Sequence, residues 1–195
     1  MRPLVLHNGI AAALLWGSFL VWFVVVEGLI RKRSHSSGVE SRDWTLSLIV
    51  VVSLASIAVA TVVAGAHVAP LPGPAWWVLA GGLALLWLGV AFRVWAIFTL
   101  GRFFKLTVVT QESHHVVDRG PYRWLRHPSY TGALIAGVGI GLAEGDWLSI
   151  AIVAIGMSIA YAIRIRIEER TLLAELGDDY AAYVARTARL VPGLF

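Results

Sequence analysis

The chain has 195 residues, is 58% hydrophobic and only 14% charged, and has a mean hydropathy of +0.74. A soluble domain carries about 25% charged residues, so the composition is that of an integral membrane protein. The formal net charge of +4 does not argue for nucleic acid, because the basic residues cluster beside apolar runs, and the lack of cysteine excludes disulfides, thiolate metal sites, cysteine nucleophiles and C-terminal prenylation.

Taken in order, Gly9 to Ile30 is apolar and long enough to span a bilayer, which needs roughly 20 residues. It exceeds a signal-peptide core and no small-residue cleavage site follows it, so it reads as a retained helix, with Glu27 near its interfacial end. A basic polar loop from Arg31 to Asp43 leads to a second span, Trp44 to about Ala69, anchored by Trp44 and carrying His67 as a structural residue. The uncharged turn Pro70–Pro74 precedes a third span to about Leu100. Its Gly82 and Gly89 fall seven apart on one face, as a close helix contact requires. Arg93, toward the end of this span, is expected to snorkel to the interface rather than to face an internal cavity.

Gly101 to His127 is the one long polar segment between spans. Ser129 to about Ala143 is a fourth, short apolar run, and Pro128 suits the first turn of its helix, where no backbone N–H is needed. Free N–H groups of that turn, with Arg126 and His127 beside them, favour an anion. Gly137, Gly139 and Gly141 are not a dinucleotide fingerprint, having no strand before them and no acidic partner about 20 residues on. They predict helices in contact. The turn Glu144–Asp146 opens a fifth span, Trp147 to Ile163, and from Arg164 the chain becomes a charged helical tail.

Of the sixteen basic residues, fourteen fall in the two polar loops and the tail, Arg2 lies on the other side, and Arg93 lies within a span. The fold class expected is therefore an all-α integral membrane protein of about five transmembrane helices, with the 101–128 loop and the C-terminal tail both cytosolic and the N-terminus outside. Fourteen arginines against two lysines, with abundant alanine and glycine, point to a GC-rich bacterial genome and hence a bacterial inner membrane.

Two polar clusters then face one compartment: Arg126-His127-Pro128-Ser129-Tyr130, and the run Tyr161 to Glu169. On a continuous helix Tyr161, Arg164 and Glu168 form one stripe and Arg164 can pair with Glu168, whereas Glu169 points about 100° away. Charge neutralisation at a membrane surface accounts for either cluster alone. No metal-ligand spacing, P-loop or nucleophile elbow is present, and no metal is expected.

Together, Gly120-Pro121-Tyr122, then Arg126-His127-Pro128-Ser129-Tyr130-Thr131-Gly132, then Glu168-Glu169, resemble the isoprenylcysteine carboxyl methyltransferase family, in a wider group that includes phospholipid N-methyltransferases. The tail, with Tyr180, Tyr183, Arg186, Arg189 and Pro192, is also similar to that family's. The likeness covers about Leu100 to Pro192, which divides the chain into helices 1–3 (1–100) and a methyltransferase core (101–195). It implies S-adenosylmethionine-dependent methyl transfer to a lipid or lipid-modified acceptor, through carboxyl O-methylation of an isoprenylcysteine-like or other lipophilic carboxylate. No alternating βα pattern exists to build the soluble methyltransferase fold, so the cofactor has to be held by the loop and last helices. Carried over by resemblance, Tyr122, Arg126, His127, Tyr130 and Glu169 bind the cofactor, and Arg164 and Glu168 take the catalytic, acceptor-side position. Amine methylation, with Glu168 as general base, stays open, as do an NADPH-dependent membrane reductase and a non-catalytic membrane module.

Overall fold

In the computed structural model the described residues are 3–35, 44–101 and 116–192, without the side chains of 25–27 and 29–35. Glu27, Arg31, Lys32 and Arg33 as side chains, and Arg42, Arg102 and Lys105 altogether, lie outside them.

All five predicted spans are helical. A short α1 (Leu4–His7) leads into α2 (Gly9–His35), followed by α3 (Trp44–Ala66), α4 (Ala75–Leu100), α5 (Pro128–Ala143) and α6 (Trp147–Arg186). By length and composition α3, α4 and α6 can cross a membrane, while the apolar stretch Gly9–Val24 and α5 are shorter. The 16 residues of α5 rise about 24 Å, less than the roughly 30 Å hydrocarbon core. Helix ends follow local chemistry. Asp146 caps α6 by accepting from Leu148 N at 2.8 Å and Ser149 N at 3.3 Å, satisfying N–H groups that a helix start leaves unpaired. His67 takes a left-handed φ of 56° just past α3, which ends that helix.

Helix α4 packs chiefly on α5, and α3 on α6, with α5 between α4 and α6. Small residues let the α4 and α5 backbones touch. A Cβ on Gly132 would stand 2.6 Å from Arg93 N, and one on Gly139 would stand 2.7 Å from Gly82 O. One on Gly89 would stand 2.5 Å from Gly132 O. Gly137 and Gly141 face the other way, against Met157 and Ile150 of α6. The alternate glycines of α5 thus serve both neighbours, in a setting where packing rather than water exclusion drives helix association. Leu79, Leu86, Ile140, Val153 and Met157 fill the spaces between them.

Arg93 does not snorkel. It is buried, and its Nη1 donates to Ser129 O of α5 at 3.1 Å. The reason is register: residues 82, 86, 89 and 93 share the stripe that meets α5, so Arg93 turns inward with the glycines.

The turns at 67–74 and 144–146 meet at one end, where Leu71 N donates to Gly145 O at 2.9 Å and Trp147 N to Ala69 O at 2.8 Å. The 118–127 loop and the charged half of α6 meet at the other. Reporter fusions after Pro74 and after Asp146 are accordingly expected to read out on the same side. Readouts from opposite sides would break the topology that gathers the polar segments together.

Candidate active site

The polar end is built by the tail reaching back to the loop. Gly120, with φ 57°, opens a 3₁₀ turn over Gly120–Arg123. Leu125 then runs parallel to Ala188. Ala188 N donates to Trp124 O at 2.9 Å, Arg126 N to Ala188 O at 2.8 Å, and His127 N to Arg189 O at 3.1 Å. Tyr183 donates its hydroxyl to Tyr122 O at 2.8 Å, and Thr131 Oγ1 donates to Leu190 O at 2.8 Å. Because α6 breaks at Gly177, with φ 52° and ψ −127°, its last turns can fold over this loop. Such a backbone favours glycine, which has no Cβ to clash.

Within this frame the two adjacent glutamates have separate surroundings. Glu169 Oε1 accepts from Arg126 Nε at 2.8 Å and from His127 Nε2 at 3.3 Å, and its Oε2 accepts from Arg189 Nε at 2.9 Å. Burial alone would raise its pKa. The hydrogen bonds from His127 and Arg126 outweigh that and hold it at about 2, so it stays ionised at any physiological pH. Glu168 Oε2 accepts from the Tyr130 hydroxyl at 2.8 Å and lies 3.9 Å from Arg164 Nε, with the Glu168 side chain 28% exposed. It is also 4.0 Å from His127 Nδ1.

Aromatic rings floor the cluster. His127 stacks on Tyr130 at 5.6 Å and 10°, and Tyr130 on Tyr161 at 4.9 Å and 28°. Arg164 is only 2% exposed. Its Nε approaches the Tyr130 hydroxyl at 3.4 Å, and its Nη1 donates to Thr45 Oγ1 at 2.5 Å. Burial pushes the Tyr122 phenol well above its ordinary range, so that ring serves as a neutral wall.

All seven residues singled out in the sequence therefore lie at one end of the helices. The stripe Tyr161, Arg164, Glu168 forms as helix geometry requires, and Glu169 points to Arg126 and Arg189, with His127 lying between the two glutamates. One detail differs from expectation. Arg126 does not stand free for an anion, since it binds Glu169, Val184 O at 3.1 Å and the Thr187 carbonyl. A guanidinium and a carboxylate that share a part-buried site satisfy each other before any ligand. Four contributors were not read from the sequence in these roles: Thr45, Arg93, Tyr183 and Arg189. For Arg93 a signal existed, four residues after Gly89 on the glycine face. For Thr45 nothing local marks it out.

The molecule is thus an all-helical integral membrane protein with a buried arginine, a carboxylate and an aromatic stack at one end of its bundle. Residues 82–174 match the sequence model of the isoprenylcysteine carboxyl methyltransferase family, so over this region the chain is similar to that family. It is similar to protein-S-isoprenylcysteine O-methyltransferase B of Arabidopsis thaliana, 37% identical over 119 residues, which cover 60% of each chain. It is similar also to the Bacillus subtilis protein YpbQ, 28% identical over 98 residues, 50% of this chain and 56% of that one. The solved structure of the eukaryotic intramembrane Ras methyltransferase ICMT superposes with a TM-score of 0.59 at 25% identity, covering 89% of this chain and 61% of that one. The chain spans about 60% of the length of the Arabidopsis relatives it matches.

Proposed function

We propose that this protein transfers a methyl group from S-adenosylmethionine to the carboxylate of a lipid-bearing acceptor, such as an isoprenylcysteine, with residues 101–195 as the core. The observation that carries this reading is the buried Arg164 beside a partly exposed Glu168, against the His127–Tyr130–Tyr161 stack. Their family relatives are named for the same reaction on protein-bound isoprenylcysteine.

The donor set fits the cofactor: aromatic faces and a carboxylate favour a sulfonium and an ammonium. When bound, S-adenosylmethionine supplies a methyl group already activated by positive sulfur. The protein's part is placement. Arg164 would hold the acceptor carboxylate, which is already a nucleophile at neutral pH, so no proton would have to be removed by the protein. Glu168 and the Tyr130 ring favour the cationic side. His127 and Tyr122 line the cofactor side, which Arg126 and Glu169 brace from behind. Burial keeps water from competing. The names of the similar Arabidopsis proteins, both O-methyltransferases, support O- over N-methylation. The charge asymmetry of the sequence supports a site on the cytosolic face, and the arginine-rich composition supports a bacterial inner membrane.

Detergent-purified protein is expected to bind S-adenosylmethionine and not NADPH, and to label a farnesylcysteine analogue or a lipid carboxylate with the cofactor's methyl group. His127→Ala should weaken cofactor affinity about tenfold, since it removes a buried polar partner worth roughly 1–3 kcal/mol. Binding of NADPH without S-adenosylmethionine would overturn the reading.

A further inference from the structure

Arg164 is positioned by a residue outside the family-matched region. Thr45 is the second residue of α3, lies 119 positions before Arg164, and is 1% exposed. Its Oγ1 receives the Arg164 Nη1 hydrogen at 2.5 Å. The opposite edge of the same guanidinium carries Nε, which lies 3.4 Å from the Tyr130 hydroxyl and 3.9 Å from Glu168. A guanidinium is planar, so anchoring one terminal nitrogen while Nε faces the site sets the plane of the group. Threonine suits this task better than a flexible acceptor, because its branched Cβ restricts χ1 and holds Oγ1 in place.

We propose that Thr45 is a positioning residue for methyl transfer: it fixes the Arg164 guanidinium in the plane that presents it to the acceptor carboxylate, and so makes α3 part of the catalytic apparatus. This rests on Arg164 as the acceptor-side group. The role is separable from simple attachment of α3 to α6. That attachment has its own contacts toward the other end, where Ser149 Oγ donates to Ala60 O at 2.8 Å and Gly156 packs on Ser56.

The full-length protein in detergent, with a farnesylcysteine analogue as acceptor, provides the test. Thr45→Val keeps the side-chain shape and removes the acceptor oxygen. It is expected to lower kcat/KM for the acceptor about tenfold, with KM for S-adenosylmethionine unchanged and rates compared at equal folded content, since the buried guanidinium also loses a partner. Thr45→Ser should restore activity to within about twofold, since the oxygen returns. In an Arg164→Lys background, Thr45→Val should cause no further loss, because the group it orients is gone.

Normal turnover by Thr45→Val, or an equal tenfold loss in the Arg164→Lys background, overturns the proposal. If the valine variant does not fold, Thr45→Ala must fall well below Thr45→Ser, and equal activity of those two overturns it. No methyl transfer by the wild type to any lipid carboxylate removes the functional reading and this role together, whereas an active wild type with an indifferent Thr45→Val removes this role alone.

Discussion

Glu168→Gln and Arg164→Ala are each expected to lower kcat/KM by at least about tenfold, equivalent to about 1.4 kcal/mol of transition-state stabilisation. The double variant should be little worse than either, because both groups act on one transition state. The alternative, in which the pair only balances charge, predicts a different result. Exposed pairs one helical turn apart contribute about 0.3–0.5 kcal/mol to stability, and their loss should leave turnover alone. Arg164 is almost fully buried and Glu168 shares its hydrogen-bonding oxygen with Tyr130, which places both far from that exposed case. Rates must be compared at equal folded content, since a buried charge deprived of its partner also destabilises. Near-normal methyl transfer by the folded double variant would move the chemistry elsewhere.

Gly89→Val and Gly139→Val should each cost folded protein outright. A Cβ on Gly89 would lie 2.5 Å from Gly132 O and one on Gly139 2.7 Å from Gly82 O, both backbone atoms that have no rotamer to escape into. Overpacking costs about 1–3 kcal/mol where side chains can shift, and more where they cannot. Helices α4 and α5 would have to separate, carrying Arg93 and the start of α5 with them. Thermal unfolding in detergent checks this, with Gly17→Ala as control, since nothing lies within 4 Å of a Cβ there. A Gly89→Val protein with the wild-type midpoint would mean that α4 and α5 do not pack as described.

These cases also show what the sequence could convey. Apolar length placed the helices, because a span's backbone must satisfy its own hydrogen bonds wherever it lies. Gly82 and Gly89 announced a close helix contact on one face of α4 through spacing alone, but not that α5 makes it. Tyr161, Arg164 and Glu168 came together because one continuous helix dictates their register. Arg93 was misjudged when its charge was weighed and its place on the glycine stripe was not. Local reasoning stops at contacts between distant segments. Nothing near Thr45 names Arg164, and nothing near Arg126 says that its anion is Glu169. Tyr183 and Arg189 stood in a tail whose likeness to the family was legible, but their partners depend on the backbone turning at Gly177.

The return of the tail onto the loop has a consequence for biosynthesis. A nascent chain that has emerged as far as Glu169 already contains every group proposed to touch donor or acceptor. It still lacks Tyr183 and the 187–190 segment, which hold Trp124, Leu125, Arg126 and Thr131 in place. On the proposed reading, competence arrives late, only after the segment around Ala188 has cleared the ribosome and folded back onto the 124–127 loop. Products terminated between Glu169 and Ala188 would carry the full chemical inventory and are expected to be inert.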